Sequence, residues 1–349
     1  MKKILFTGGG SAGHVMPNIA LMEEILSDGR ADVCYMGTDG IEKRLIEEWN
    51  IPFYQIDCPK LYRGGVQNWK KNFKIPVAFH RAQKQAEEGL RIFQPDAVFS
   101  KGGYVALPVI FAASKLKIPC FAHESDYSLG LANRLSLCKC KTIFTSFPET
   151  ARRLRKGVYS GAPLRKSLFG ATKAESRKKF GIPFHEKVIL VFGGGSGSEI
   201  INTALRKHIK VLTEEYVILH VCGKGNLIKT NLQNYHQFEF ITDMGAAYAC
   251  ADLIISRAGA GAIFEILALK KPAIFIPLEG QTRGDQIENA AYFSQKGLCR
   301  VIKQDHLDTL PNVITKTFSD EHLKERLAAC NYTSGNEIIL RTLFHALKK

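Results

Sequence analysis

The sequence predicts an α/β protein with two Rossmann-like domains, each built on a parallel β-sheet. The chain has 349 residues, 45% of them hydrophobic, which is enough for two cores. One local unit also occurs twice. A strand at residues 3–7 runs into the loop 8–14 (GGGSAGH) and a helix, and residues 187–192 run into the loop 193–198 (GGGSGS) and another helix. This succession brings backbone N–H groups to a ligand at the helix start.

Short apolar runs bounded by turn residues predict the other strands. In the first half these runs are residues 33–36, 53–56, 97–100, 119–123 and 143–146. In the second half they are residues 217–221, 253–256, 273–276 and 298–302. We therefore divide the chain into domains 1–160 and 161–332, and expect a C-terminal helix at about 333–349 to pack back on the first domain.

The stretch 256–289 has the pattern that most clearly predicts a ligand site. Its buried strand, 273–276, is preceded by a glycine-broken loop and a helix that carries one acid, Glu265, and is followed by a polar loop. Open parallel sheets bind ligands outside the carboxyl ends of their strands. We therefore expect a ligand site in this stretch.

The net charge of +15, from 48 basic and 33 acidic residues, favours an anionic partner. In segment 60–81, cations alternate with large apolar residues that include Trp69, Phe73 and Phe79. This mixture predicts a surface that binds an anionic membrane, although an ordinary helix with snorkelling lysines has the same composition. No apolar run approaches the roughly 18 residues needed to span a bilayer.

The first glycine loop matches neither the GxGxxG nor the Walker pattern. It places His14 at a helix start, where the helix dipole disfavours an imidazolium and keeps the ring usable as a base. A solvated capping histidine is the alternative. Residues 123–126 (HESD) follow a later strand. The His, Glu and Asp of this segment are residue types that bind metals or act in catalysis. Because neighbouring strand residues point to opposite faces, at most some of them converge.

Together these motifs resemble one enzyme family. The chain is similar to the GT-B glycosyltransferases and, among them, to the MurG family, which converts lipid I to lipid II with UDP-N-acetylglucosamine. The matching segments are 9–14 (GGSAGH), 101–104 (KGGY), 123–126 (HESD), 130–133 (GLAN), 161–165 (GAPLR), 193–198 (GGGSGS), 256–259 (SRAG), Glu265 and 283–289 (RGDQIEN).

The resemblance implies an inverting hexosyltransferase with two domains facing across a cleft, without cofactor or metal. Glu265 would accept hydrogen bonds from the ribose hydroxyls, Ile241 would offer backbone groups to uracil, and Gln286 would contact the sugar. The helix start after residue 259 would bind the diphosphate. The full donor set implied is Ser11, Ala12, Gly13, Arg165, Gly195, Ser196, Ile241, Ala260, Gly261, Ala262, Glu265 and Gln286.

The resemblance also implies the acceptor side. His14 would be the general base on the 4-hydroxyl of the muramyl sugar of lipid I. The acceptor set is Gly103, Tyr104, Glu124, Asp126 and Asn133. The partners implied are UDP-N-acetylglucosamine, lipid I and anionic inner-leaflet phospholipid, without nucleic acid. The location implied is the cytoplasmic face of the cell membrane, as a peripheral protein.

Three departures from the family pattern affect individual contacts. Ser11 and Ala12 replace a Thr-Gly pair, and Asp126 replaces an Asn. Gly195 stands where the family has the diphosphate serine, so that either Gly195 or Ser196 makes this contact. Two alternatives stay open: a GT-B transferase with another lipid or natural-product acceptor, and a UDP-N-acetylglucosamine epimerase or hydrolase.

Overall fold

The computed structural model describes residues 1–59, 75–195, 197–280 and 284–348. The chain divides into two compact units. Unit 1 is Met1–Arg165 with Ser334–Lys349, and unit 2 is Lys166–Thr333. Within the described ranges, unit 1 holds a seven-stranded sheet and unit 2 a six-stranded sheet. The predicted α/β class with two parallel-sheet domains is confirmed.

Strands and helices alternate along the first part of unit 1. Its strands are β1 Lys2–Thr7, β2 Ala31–Gly37, β3 Phe53–Gln55, β4 Ala97–Ser100, β5 Cys120–Glu124, β6 Cys140–Thr145 and β7 Gly157–Tyr159. Its helices are α1 Ala12–Ser27, α2 Ile41–Glu47, α3 Ile75–Phe93, α4 Ala106–Lys115, α5 Leu131–Ser136 and α6 Pro148–Arg152.

The sheet of unit 1 has the order β3-β2-β1-β4-β5-β6-β7, with parallel pairing throughout. Side chains of β1 alternate between two cores: Ile4 and Phe6 lie in one and Leu5 in the other. Burial on both faces is typical of parallel sheets covered by helices. The carboxyl ends of β1, β4 and β5 therefore lie at one edge, where the glycine loops begin.

Unit 2 repeats this alternation except between β9 and β10, which no helix separates. Its strands are β8 Val188–Phe192, β9 Val217–Val221, β10 Tyr235–Phe238, β11 Leu253–Ser256, β12 Ala273–Phe275 and β13 Arg300–Val301, in the order β10-β9-β8-β11-β12-β13. Its α-helices are α7 Lys173–Phe180, α8 Glu199–Glu215, α9 Met244–Cys250, α10 Ala260–Ala268, α11 Asp285–Gln295, α12 Leu310–Phe318 and α13 Glu321–Ala329. Two 3-10 helices cover Lys166–Leu168 and Gln304–Thr309.

The last helix, α14 Asn336–Ala346, belongs to unit 1. Asn336 accepts a hydrogen bond from the Leu164 N–H at 3.1 Å and donates to the Leu164 carbonyl at 2.9 Å. The Gly335 N–H donates to the Ala162 carbonyl at 2.8 Å. These bonds hold the segment after β7 on unit 1, whose first segment ends at Arg165. Among the described helices, none is long and apolar enough to cross a bilayer.

Candidate active site

His14 lies in the first turn of α1, directly after the glycine loop of β1. The ring Nδ1 of His14 is 3.0 Å from Ser11 Oγ, and the backbone N–H of His14 donates to the Ser11 carbonyl at 3.1 Å. The Ser11 side chain makes no cap bond to the helix backbone. When Nδ1–H donates to Ser11, the tautomer leaves a lone pair on Nε2. This geometry suits a general base.

The loop after β4 packs directly on the glycine loop. Gly103 has φ of +80°, and a Cβ there would lie 2.4 Å from the Gly9 carbonyl and 3.3 Å from His14 Nδ1. Only glycine can adopt this backbone at such a short approach. A Cβ on Gly10 would lie 2.7 Å from the Tyr104 ring. The structure therefore brings Gly103 and Tyr104 from the predicted acceptor set to the loop of His14.

Glu124, Asp126 and Asn133 also lie together, but most of their described contacts are with each other's loop. Glu124 accepts from the Asp126 N–H at 3.1 Å, from the Gly130 N–H at 2.7 Å and from Asn133 Nδ2 at 2.9 Å. Glu124 and Asn133 are buried, at 5% and 4% exposure. Glu124 therefore orders this loop, and the predicted contact of Glu124 and Asn133 with acceptor stays a prediction.

His123 precedes Glu124 and has a structural environment. Its ring is fully buried, and Nε2 lies 3.0 Å from the Gly161 carbonyl. Burial and, secondarily, the charge of Lys101 hold the pKa of His123 well below its usual range. The neutral ring therefore donates Nε2–H to Gly161. This bond ties β5 to the segment after β7.

In unit 2, α10 begins at Ala260 directly after β11, and its N-cap is Gly259. Glycine offers no side-chain cap, so the N–H groups of Ala260, Gly261 and Ala262 form an uncapped first turn. Such a helix start attracts phosphate through its N–H groups and its dipole. The structure thus places the predicted diphosphate segment at a helix N-terminus.

Glu265 lies on the same helix. Its Oε2 accepts a hydrogen bond of 2.9 Å from the hydroxyl of Tyr248, a residue of α9 that is 1% exposed. Tyr248 packs edge-on against Phe192 at the end of β8, with ring centroids 6.0 Å apart. A buried phenol of restricted position therefore orients this carboxylate, whose contact with ribose stays a prediction.

Two other predicted donor residues, Gly195 and Ile241, follow strand ends of unit 2, and a third, Gln286, lies in the first turn of α11. Gly195 is exposed in the loop after β8, where a Cβ would meet nothing within 4 Å. Ile241 is 7% exposed after β10, and its backbone bonds no other described backbone group. Gln286 Oε1 accepts from the Leu278 N–H at 2.9 Å, which uses the amide oxygen within the protein. Ser196 lies outside the described residues.

Arg165 is the last residue of the first segment of unit 1. Its Nε is buried and has no hydrogen-bond partner among the described side chains and backbone. A buried donor without a partner is costly. An anionic or carbonyl ligand would satisfy it, and the role of Arg165 in donor binding stays a prediction.

Of the three predicted membrane residues, the structure describes only Phe79. Trp69 and Phe73 lie outside the described residues. Phe79 lies on α3 and packs edge-on against Phe111 of α4, with ring centroids 5.9 Å apart. The ring of Phe79 is therefore used at least in part inside unit 1. The neighbouring Val77 is 70% exposed.

The sequence pattern did not indicate two residues that the structure places at the site, Glu42 and Tyr248. The sequence gives only a weak indication of either residue. Glu42 lies just after the turn 37–40 (GTDG), and Tyr248 carries the only hydroxyl group in the apolar helix α9 (MGAAYAC). Their partners, Gly10 and Glu265, lie 32 and 17 residues away. Only the fold brings these pairs together.

Two family models match the chain. The glycosyltransferase family 28 N-terminal domain matches residues 4–145, and the glycosyltransferase family 28 C-terminal domain matches residues 188–340. These ranges include the glycine loop of β1 and the start of α10.

Curated relatives with high similarity carry one name, UDP-N-acetylglucosamine–N-acetylmuramyl-(pentapeptide) pyrophosphoryl-undecaprenol N-acetylglucosamine transferase. A Clostridium perfringens (strain SM101 / Type A) protein is 42% identical over 325 residues, covering 91% of this chain and 89% of its own length. One from Clostridium botulinum (strain Alaska E43 / Type E3) is 40% identical over 359 aligned residues, covering 99% of each.

Among solved structures, the Acinetobacter baumannii MurG crystal structure is similar over 98% of this chain and 99% of its own. The TM-score is 0.75 and the identity is 26%. The resemblance inferred from the motifs is thereby confirmed. This chain belongs to glycosyltransferase family 28 and, within it, to the MurG family.

Proposed function

We propose that this protein transfers N-acetylglucosamine from UDP-N-acetylglucosamine to the 4-hydroxyl of the muramyl sugar of lipid I, giving lipid II for peptidoglycan synthesis. The observation that carries the proposal is the assembly of His14, Gly103 and Tyr104 at the start of α1. It occurs in a chain whose relatives at 40–42% identity bear the name of this transferase.

Unit 2 binds the donor in this proposal. Ribose hydroxyls donate to the Glu265 carboxylate, whose position the Tyr248 hydroxyl maintains. The diphosphate lies at the first turn of α10, whose N–H groups and dipole stabilise the charge that develops as UDP leaves. Ile241 offers backbone groups to uracil, and Gln286 contacts the sugar through its amide nitrogen, since its oxygen already accepts from Leu278.

Unit 1 binds the acceptor in this proposal. The 4-hydroxyl oxygen attacks C1 of the donor sugar while His14 Nε2 takes the hydroxyl proton. The C1–O bond to the diphosphate breaks, and the configuration at C1 inverts. Ser11 orients the ring by accepting Nδ1–H. Direct displacement of this kind needs one base and stabilisation of the leaving UDP, and the proposal assigns these roles to His14 and to the first turn of α10.

One assay tests this reaction. The protein is incubated in EDTA with UDP-N-acetylglucosamine and a lipid I analogue, and UDP release is followed. We expect release that depends on the acceptor. Absence of acceptor-dependent release would refute the proposal. Release without acceptor would identify a hydrolase, and conversion of the donor to an isomeric UDP-sugar without net UDP release would identify an epimerase. Release with diacylglycerol in place of the lipid I analogue would identify a transferase of another class.

We further propose that unit 1 binds anionic phospholipid at the cytoplasmic face of the cell membrane through Trp69, Phe73 and the cations around them. Among the described neighbours, Val77 is 70% exposed, and Arg81 one helical turn later is also exposed. An apolar group beside a cation suits an anionic interface.

Replacing both Trp69 and Phe73 with serine is expected to weaken binding to phosphatidylglycerol vesicles about tenfold or more, since each ring contributes about 1.5–3 kcal/mol when buried. Cosedimentation with the vesicles measures it. Trp49→Ser, at an exposed tryptophan elsewhere in unit 1, is the matched control. Equal binding of the double variant and the control would refute this contact.

A further inference from the structure

We infer that Glu42 is a positioning residue that holds the glycine loop of β1 in the geometry required by His14. The inference rests on the function proposed above, in which His14 is the base. Glu42 lies in the first turn of α2 and is fully buried. None of its described hydrogen bonds involves His14, so it would act on the ring only through the loop.

Glu42 connects two loops at one edge of the sheet. Its Oε2 accepts from the Gly10 N–H at 3.2 Å, in the loop after β1. Its Oε1 accepts from the Thr38 N–H at 3.0 Å, in the loop after β2, and also from the Thr38 hydroxyl. The carboxylate therefore receives one donor on one oxygen and two on the other.

The glycine loop is shaped around this carboxylate. A Cβ on Gly9 would lie 2.5 Å from Glu42 Oε1, closer than any real Cβ contact. The side chain thus occupies the space against the Gly9 backbone while it binds the next N–H along the chain. One residue sets both the distance and the direction of the loop.

Burying a carboxylate costs free energy, because its charge must be taken out of water. The described partners of Glu42 are two backbone N–H groups and a hydroxyl, not a cation. Hydrogen bonds to an ionised acceptor are stronger than those between neutral groups and are directional. An apolar side chain would pack here without that cost but would leave the Gly10 N–H without its acceptor.

The loop transmits this constraint to His14 within a few residues. Gly10 precedes Ser11, whose carbonyl accepts the His14 N–H and whose Oγ lies 3.0 Å from His14 Nδ1. On the other side of the loop, the Tyr35 hydroxyl donates to the Gly8 carbonyl at 2.7 Å. The loop is therefore held at both Gly8 and Gly10, and release at Gly10 would free the segment that orients the ring.

The Tyr104 ring, in the loop after β4, packs against Gly10. The loop after β4 therefore rests on the same glycine loop that Glu42 holds. Loss of Glu42 should disturb the predicted acceptor residue Tyr104 together with the base.

The test is Glu42→Gln, which keeps the shape but replaces one acceptor oxygen with an NH2 donor. That donor must then face the Gly10 or the Thr38 N–H. We expect kcat for UDP release to fall about tenfold or more, with the Kd for UDP unchanged because Glu265, Ile241 and the first turn of α10 are left in place. Glu47→Gln, at an exposed acid on the same helix, is the matched control and should keep wild-type kcat.

A double-mutant cycle distinguishes positioning from general damage. If Glu42 acts through His14, adding Glu42→Gln to His14→Ala should lower kcat by less than about twofold further. Full additivity of the two losses would overturn the inference. An unchanged kcat in the single variant would overturn it as well.

Two further measurements cover a folding defect and failure of the proposed reaction. Thr38→Val removes only the hydroxyl donor and should give a smaller loss of kcat than Glu42→Gln, in a protein with near-normal Tm. Hydrogen exchange of a peptide covering residues 6–14 needs no activity and should be faster in Glu42→Gln than in Glu47→Gln. If the wild type transfers no sugar, the proposed function fails, whereas equal exchange in the two variants refutes the positioning role.

Discussion

Replacing His14 with alanine is expected to lower the kcat of acceptor-dependent UDP release by about 10²-fold or more. The ring sits in the first turn of α1, 3.0 Å from Ser11 Oγ, and is the base proposed to take the proton of the attacking hydroxyl. Without it, the hydroxyl must lose its proton to water. The Kd for UDP should be unchanged, because the groups proposed to bind ribose, uracil and diphosphate, Glu265, Ile241 and the first turn of α10, are left in place.

The control for this prediction is His322→Ala, at a histidine of unit 2 whose side chain is 84% exposed. Steady-state kinetics with both substrates varied, together with calorimetric titration of UDP, separates loss of chemistry from loss of binding. A His14→Ala variant that turns over at the wild-type rate would exclude His14 as the base. Weaker UDP binding would indicate disruption beyond the loop.

Replacing Glu265 with alanine is expected to raise the Kd for UDP by about 10- to 100-fold, because hydrogen bonds to a charged acceptor contribute about 1.5–3 kcal/mol. The change removes the carboxylate that is proposed to accept hydrogen bonds from the ribose hydroxyls. This carboxylate also accepts a hydrogen bond from the Tyr248 hydroxyl. Tyr248→Phe should give a smaller increase in Kd, since it leaves the carboxylate in place but removes its orienting donor.

A ligand without ribose hydroxyls makes this test specific. For 2′,3′-dideoxy-UDP, wild type and Glu265→Ala should bind with similar Kd, because the contact at issue is absent from the ligand. Glu214→Ala, at an exposed acid of α8, is the control protein. If Glu265→Ala weakens UDP and the dideoxy ligand equally, Glu265 supports the fold of the site and does not bind ribose.

The strands that the sequence predicted well are those with continuous apolar runs. Residues 217–221 and 253–256 coincide with β9 and β11. Each of these strands is buried on both faces, which restricts its residues almost entirely to apolar types and makes the strand visible in the sequence. β7 was not predicted, because Gly157–Tyr159 is a short edge strand whose residues are partly exposed. Its position depends on pairing with β6, which a local pattern does not encode.

The candidate site divides in the same way. Local succession along the chain is enough to predict His14 at the start of α1 and Ala260 at the start of α10, because a strand, a glycine turn and a helix are contiguous. It is not enough to predict that Gly103 meets Gly9, because that contact depends on β1 and β4 being neighbours in the sheet.

The amino-acid sequence by itself therefore determined the α/β class, the two parallel-sheet units and the chemical groups that a sugar-nucleotide transferase needs. Tertiary structure alone decided which groups touch. It set Glu42 against Gly10 and Tyr248 against Glu265, and it used Glu124 to order its own loop. The physical reason is range: periodicity and turns act over a few residues, whereas a buried polar side chain takes its partner from whatever the packed sheet brings within about 3 Å.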